Sequence, residues 1–336
     1  MNITSFKALM VDKQSDRFEI GIRDLSLADL PQENVTIRVS YSSINYKDGL
    51  AATPDGRVLR AYPMIPGIDL AGTVVSSSDS RWREGDEVIA TGYGLGTDYF
   101  GGYSEYARIR GDWLTALPQG LTLREAMIIG TAGFTAALSL HRLESNGLVP
   151  GAGPVLVLGA TGGVGSHAVA MLARAGYDVT ASTGKSSEHD YLRMLGAREI
   201  ISREALQAPE GSRRALNSEH WAAAVDPVGG ASLPYVLSTI RYGGSVALSG
   251  LTGGGEFPGT VFPFILRGVN LLGIDSVYCP SPMRETLWQR IASDWKPARL
   301  DAMVSDEVSL ADLPAALPAI LKGGVRGRTV VRIAQE

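Results

Sequence analysis

Two short stretches of the 336-residue chain carry residue types whose spacing could do chemistry. The first is Val155-Leu156-Val157-Leu158-Gly159-Ala160-Thr161-Gly162-Gly163-Val164-Gly165, an apolar run ending in a glycine-rich turn that opens an apolar, alanine-rich segment. Ala160, Gly162 and Gly165 fall at the three small-residue positions of a dinucleotide fingerprint: one tightens the turn, one lets a pyrophosphate approach the backbone, one lets helix pack on strand. Ala160 departs from glycine at the first of these. A helix starting near Gly163 presents unpaired N–H groups and the positive end of its dipole, so a pyrophosphate is held at Thr161 to Gly165 without a basic side chain. The second stretch is Asn45-Tyr46-Lys47-Asp48, a polar cluster directly after an apolar strand, with an amide, a phenol and a carboxylate able to donate or pass protons.

The strand after the glycine loop sets the nucleotide preference, because an acid at its end would hold the ribose 2′-hydroxyl of NAD. Here Asp178-Val179-Thr180-Ala181-Ser182 runs instead into Thr183-Gly184-Lys185-Ser186. Ser182, Thr183, Gly184 and Lys185 thus put hydroxyls and an ammonium where a 2′-phosphate would lie, and Arg203, after the next strand, is a candidate second cation. NADPH is expected over NADH.

Around these stretches the pattern divides in two. From Phe6 to about Ile109, short alternating apolar runs are separated by Pro, Gly and Asp clusters, which predicts a β-rich region. Thr122 to Leu143 has helical spacing, with Thr122 and Glu125 placed as a capping box. Alternating strand and helix patterns follow: Pro154–Leu158, Val164–Ala175, Asp178–Ser182, His189–Leu195, Glu199–Ile201, Ala222–Asp226, Leu233–Ile240, Ser245–Leu248 and Asn270–Asp275. This predicts an α/β fold with a parallel sheet covered by helices. Helices are expected at Met283–Ser293 and Leu310–Leu321, with a last strand at Thr329–Ile333. Residues 1–125 and 295–336 are expected to form one domain and 126–294 the nucleotide-binding one.

Composition excludes several classes. Hydrophobic residues are 45% and charged residues 20%, as in ordinary globular domains. A formal charge of −4 gives no nucleic-acid or anionic-membrane footprint. No apolar run reads as a membrane span and Met1 to Lys13 lacks a signal-peptide pattern, so a cytoplasmic location is expected. Cys279 is the only cysteine, and His141, His167, His189 and His220 lack metal-ligand spacing, so no metal site is expected.

Set beside Pro66-Gly67-Ile68-Asp69, Gly85-Asp86-Glu87-Val88 and Gly130-Thr131-Ala132-Gly133-Phe134-Thr135-Ala136, the two stretches resemble the zinc-free quinone-oxidoreductase type of the medium-chain dehydrogenase/reductase superfamily. The stretches Pro263 to Ser276 and Gly327 to Val331 resemble one subgroup of it, the bacterial acryloyl-CoA reductases. Zinc members carry an early Cys and a Gly-His-Glu motif, whereas this chain has Pro66-Gly67-Ile68-Asp69 there and no cysteine before Cys279. The resemblance implies a GroES-like catalytic domain from both chain ends, a doubly wound Rossmann domain between them, a cleft for nicotinamide and substrate, and a homodimer. It implies that Tyr46, Asp48 and Gly49 line the nicotinamide, that Thr131 and Thr135 meet the cofactor, and that Leu251, Ile265, Ser276 and Arg328 approach it from later loops.

Without a metal to polarise a carbonyl, hydride is most easily accepted at the β-carbon of an enone or unsaturated thioester. Asn45 and Tyr46 would then hold the enolate oxygen, and Tyr46 or a water on Asp48 would pass the proton to the α-carbon. The substrate class implied is a small molecule, a CoA thioester such as acryloyl-CoA, with Lys47, Arg57 and Arg60 as candidate phosphate contacts. Quinones or free enones are the rival acceptors. A non-catalytic NADPH-binding sensor or RNA-binding protein is the reading from another class.

Overall fold

A computed structural model describes residues 4–14, 17–207 and 214–333. The chain divides into two compact units: residues 1–131, 277–292 and 300–336 form the first, and residues 132–276 and 293–299 the second. The stretch 277–292, which the sequence grouped with the nucleotide-binding half, thus clusters with the first unit.

The first unit opens with an antiparallel hairpin, β1 (Phe6–Gln14) and β2 (Arg17–Leu25). Then come β3 (Val35–Ile44), the short helix α1 (Tyr46–Ala51), β4 (Asp69–Ser77), β5 (Glu87–Thr91), β6 (Tyr106–Ile109) and β7 (Leu114–Ala116). Helix α2 (Leu123–Ser145) follows, with the expected capping box formed: the Glu125 N–H donates to Thr122 Oγ1 and the Thr122 N–H to Glu125 Oε2. This helix is also long and apolar enough to cross a membrane by length and composition, yet 83% of its apolar window is buried within the protein, as in a core helix. The sequence reading, which found no span-length apolar run, missed that likeness.

In the second unit, β8 (Val155–Val157), α3 (Gly163–Arg174), β9 (Val179–Thr183), α4 (His189–Leu195), β10 (Glu199–Ser202), β11 (Trp221–Asp226), α5 (Leu233–Thr239), β12 (Ile240–Leu248), α6 (Phe262–Arg267) and β13 (Asn270–Gly273) alternate. The strands are parallel in the order β10-β9-β8-β11-β12-β13. That order reverses direction between β8 and β11, and a ligand crevice forms outside the carboxyl ends of the strands at such a point. Helix α7 (Ser281–Ala292), β14 (Val304–Ser309), α8 (Leu313–Leu321) and β15 (Arg328–Arg332) complete the chain. In the first unit the sheet runs β14-β15-β3-β4-β5-β7, with β6 also on β3. An apolar core including Leu9, Ile37, Leu70, Leu313 and Val331 lies against it.

The sequence missed β14 and α6. Strand β14 reads Val-Ser-Asp-Glu-Val-Ser, with too few apolar residues for an alternation signal, and α6 is six residues long with Pro263 inside its first turn.

Candidate active site

In the first unit, strand register gathers the polar residues at one end of the sheet. Strands β3, β4 and β5 are successively antiparallel, with Asp69 opposite Thr91, and β15 pairs Thr329 with Ile44. The end of β3 and the starts of β4 and β15 therefore place Ser43, Asn45, Asp69 and Arg328 together. Asn45 caps α1: the Asp48 carboxylate accepts the Asn45 N–H at 2.8 Å through Oδ2 and the Ile68 N–H at 3.0 Å through Oδ1.

Asp69 is the hub. Its Oδ2 accepts from Ser43 Oγ (2.7 Å) and Asn45 Nδ2 (2.7 Å), and its Oδ1 from Thr131 Oγ1 (2.5 Å), while the Thr131 N–H lies 3.0–3.1 Å from both oxygens. Arg328, 2% exposed, donates from Nε to the Ile128 carbonyl (3.0 Å), from Nη1 to the Ile44 carbonyl (3.2 Å) and Asn45 Oδ1 (3.0 Å), and from Nη2 to Ser43 Oγ (2.6 Å). Its Nη2 also stands 3.7 Å from Asp69 Oδ2.

A break in α2 explains this arrangement. Gly130 has φ 50° and ψ −159°, so the helix stops and restarts there. The first half leaves the Ile128 carbonyl without a helical donor and Arg328 takes it; the second half leaves the Thr131 N–H without a helical acceptor and Asp69 takes it. A Cβ on Gly130 would stand 2.5 Å from Asp69 Oδ2 and 2.7 Å from Arg328 Nη2, so only glycine fits.

Two carboxylates and one guanidinium share this interior, and the charges adjust. Burial, then the neighbouring Asp69, pushes the Asp48 carboxyl up to about 7. Burial pulls Arg328 below the ordinary guanidinium value against the attraction of Asp69 and Asp48, and pushes the Tyr103 phenol, which donates to the Ser43 carbonyl (3.1 Å), well above the usual range. Asp48 has a consequence for stability. Between about pH 4 and about pH 7 the folded chain keeps a proton that the unfolded chain gives up, so this group's contribution is fully present at acid pH and is lost as pH rises through its folded value. Relative to Asp48→Asn, the wild type is expected to lose stability from pH 5 to pH 7.5, by about 1.4 kcal/mol per pH unit at most. Denaturant unfolding of both proteins across that range reads it, and parallel curves would exclude the effect.

These contacts give each expected residue its surroundings. Asp48 is fully buried with both oxygens on backbone N–H groups, so it shapes the turn into α1. Arg328 donates to four protein acceptors. Gly49 owes its identity to packing: a Cβ there would meet Ile320 of α8 at 2.6 Å. Thr131 gives its hydroxyl to Asp69. Tyr46, by contrast, is 43% exposed, and Asn45 is 8% exposed. Ser43 and Tyr103 were not singled out from sequence, and Asp69 entered only as the last residue of the Pro66–Asp69 motif; a lone acid opening the apolar strand β4 was the available signal.

In the second unit the glycine loop sits where the strand order reverses. The tight turn expected around Ala160 has its left-handed residue at Gly159 (φ 54°), while the Ala160 N–H donates to the Ser182 carbonyl (3.0 Å). Gly162 then caps α3 from extended backbone, and residues 162–164 are half-buried. Gly165 packs on the turn: a Cβ would stand 2.3 Å from the Gly159 carbonyl oxygen. Asp226, buried at the end of β11, accepts the Val228 and Gly229 N–H groups (2.7 and 2.9 Å), and burial raises its carboxyl. The turn it fixes lies against Gly159.

At the end of β9, Ser182 and Thr183 are buried, and Thr183 Oγ1 accepts the Lys185 N–H (3.0 Å). The Arg203 guanidinium lies over Gly184, where a Cβ would meet Nη2 at 2.5 Å. Lys185 is held below its ordinary value by burial and by Arg203, against the pull of Glu188. The two expected cations thus stand near each other. Thr135 Oγ1 donates to Ser276 Oγ (2.8 Å), so these two expected residues also meet, whereas Leu251 and Ile265 are exposed.

Residues 31–119 match the alcohol dehydrogenase GroES-like domain and residues 163–293 the zinc-binding dehydrogenase domain. The chain is 58% identical to the putative quinone oxidoreductase YhfP of Bacillus subtilis over 98% of this chain and 99% of the relative. It belongs to the medium-chain dehydrogenase/reductase family. Within that family it is 52% identical to acrylyl-CoA reductase AcuI of Ruegeria pomeroyi, over 98% of this chain and 99% of that one. The structure of YhfP with NAD bound superposes with TM-score 0.95 (98% and 99% of the chains covered). That of the Salmonella enterica yhdH oxidoreductase with NADP, 47% identical, gives 0.93 (98% and 100%). As a medium-chain dehydrogenase/reductase with a GroES-like and a Rossmann-like half, the chain is an oxidoreductase acting on a small molecule. Among the described residues no cluster of three or more His, Cys, Asp or Glu stands ready for a metal.

Proposed function

We propose that the chain reduces the carbon–carbon double bond of an unsaturated CoA thioester, acryloyl-CoA in the first instance, with NADPH. The observation that carries the cofactor half is Arg203 over Gly184, next to Lys185, at the end of a strand that finishes in Thr183 rather than an acid. The residues fit a dinucleotide phosphate: half-buried backbone at 162–164 opens α3, and Gly165 lets that helix seat on the turn.

In this reading Thr161 to Gly165 and Ser182 to Lys185 of the second unit hold the nucleotide, with Arg203 beside them. When bound, the reduced nicotinamide supplies the hydride, and the two electrons it carries end on the acceptor's oxygen as an enolate. Asn45 and Tyr46 provide donors for that oxygen, and Tyr46, an exposed side chain, delivers or relays the proton that finishes at the α-carbon. The identity to AcuI supports the thioester. The name of YhfP supports a second reading, a quinone or free enone as acceptor. A cytoplasmic homodimer completes the proposal.

Steady-state kcat/KM with NADPH for acryloyl-CoA, crotonyl-CoA, a small quinone and a simple enone tests the acceptor. A preference for acryloyl-CoA is expected; a clear preference for quinone would replace this reading with the second. Lys185→Ala is expected to raise the NADPH Kd about 10- to 100-fold, the loss of one charge-assisted contact, while shifting the NADH Kd less than about threefold. Fluorescence titration with both nucleotides reads it, and equal losses would remove Lys185 from phosphate recognition.

A further inference from the structure

We propose that Asp226 is a positioning residue for the dinucleotide: by holding the turn Pro227 to Gly230 it braces the glycine loop after β8 against the loop after β12, so that the two form one rigid seat. The inference rests on the reading of the second unit as an NADPH-binding one and goes beyond it, since Asp226 itself touches no ligand in that scheme.

Strands β8 and β11 flank the point at which the strand order reverses, and ligands bind outside the carboxyl ends of such strands. Gly159 follows β8 and Asp226 ends β11; the Leu158 N–H donates to the Val225 carbonyl (3.0 Å), so the two turns leave the sheet side by side. The fully buried Asp226 accepts the Val228 and Gly229 N–H groups on the same oxygen, Oδ1. Gly229 stands at φ 64°, ψ −150°, backbone that is essentially confined to glycine, and the carboxylate supplies the acceptor that keeps it there. On one side the turn packs on the glycine loop, where a Cβ on Gly159 would meet Val228 Cγ2 at 3.1 Å. On the other, the Val228 carbonyl accepts the Gly253 N–H (2.8 Å), and a Cβ on Gly250 would stand 2.3 Å from the Pro227 carbonyl oxygen. The Asp226 carbonyl accepts the Ser249 N–H (2.9 Å) and ties the base of that second loop to β11. One side chain thus sets the spacing between Gly159 and residues 249–253. Its Oδ2 has no hydrogen-bond partner among the described residues, so the position is used for the acceptor at Oδ1.

Comparing a whole dinucleotide with a fragment of it separates this from a general structural role. Asp226→Ala is expected to raise the NADPH Kd about 10- to 100-fold, while the Kd of adenosine 2′-phosphate, which reaches only Ser182 to Lys185 and Arg203 in this reading, changes less than about threefold. Asp226→Asn keeps an oxygen for the two N–H groups and exchanges only the unpartnered Oδ2, so it is expected to bind NADPH within about threefold of the wild type. Gly250→Ala disturbs the same brace from the other loop, through its clash with Pro227, and is expected to repeat the split seen in Asp226→Ala; it carries the test if Asp226→Ala does not fold. Titration calorimetry reads every Kd. Equal losses for both ligands, an Asn variant as weak as the Ala variant, or Asp226→Ala that binds NADPH as the wild type does would each overturn the proposal. Wild type that holds NADH as tightly as NADPH overturns the NADPH reading instead, and the series is then run with NADH against adenosine, where equal losses still count against Asp226.

Discussion

Gly165→Ala is expected to weaken NADPH binding by about 100-fold or more. The methyl group would stand 2.3 Å from the Gly159 carbonyl oxygen and 2.7 Å from Ala160 Cα, both backbone atoms that cannot turn aside. Helix α3 must then lift off the turn, and its first-turn N–H groups leave the line on which a diphosphate is held. Overpacking of this kind also costs about 1–3 kcal/mol of stability. Tryptophan or nucleotide fluorescence gives the Kd and thermal unfolding gives the second effect; a folded variant that binds NADPH as the wild type does would show that the helix can move without consequence. Gly162 gives the internal contrast, because a Cβ there meets only the Gly159 oxygen at 3.4 Å, ordinary contact. A binding loss at Gly162 would therefore report the ligand's approach and not the fold.

Tyr46→Phe is expected to lower kcat about 10²–10³-fold and to leave the NADPH Kd unchanged. The ring stays, so pocket shape is preserved; only the hydroxyl that relays a proton and supports the enolate oxygen is removed, and general acid catalysis is worth about 10²–10⁴. Tyr46 is exposed while Asp48, two residues on, is wholly buried and committed to backbone donors, which favours Tyr46 over Asp48 as the proton-bearing side chain in a position to act. Turnover of acryloyl-CoA unchanged in the variant would reduce Tyr46 to a wall of the pocket.

The glycine loop was legible from sequence because everything it needs is local. A strand, a tight turn and a helix start lie within eleven consecutive residues, and each small residue answers a constraint imposed by its neighbours. Even there, sequence does not say which of Gly159 and Ala160 takes the left-handed conformation, and it is Gly159. Lys185 and Arg203 were found by the same logic, from the missing acid at the end of β9. The cluster around Asp69 was not legible, because its members meet only through the sheet: Arg328 and Asn45 are 283 residues apart. From the sequence, Asp48 and Arg328 looked like polar residues near a cofactor. Only the break at Gly130 explains why an arginine and an aspartate must lie inside the first unit, one on each newly made helix end. Buried carboxylates satisfied by backbone and hydroxyl donors leave no spacing pattern in the chain, and their partners can be read only from the fold.

The central claim is tested most directly by following the transferred hydrogen. With NADPH carrying deuterium on the transferring face of C4, acryloyl-CoA in ordinary water should give propionyl-CoA with one deuterium at the β-carbon and a solvent-derived hydrogen at the α-carbon. Propionyl-CoA without deuterium, deuterium at the α-carbon, or nucleotide oxidation with no propionyl-CoA formed would contradict hydride delivery to an activated double bond.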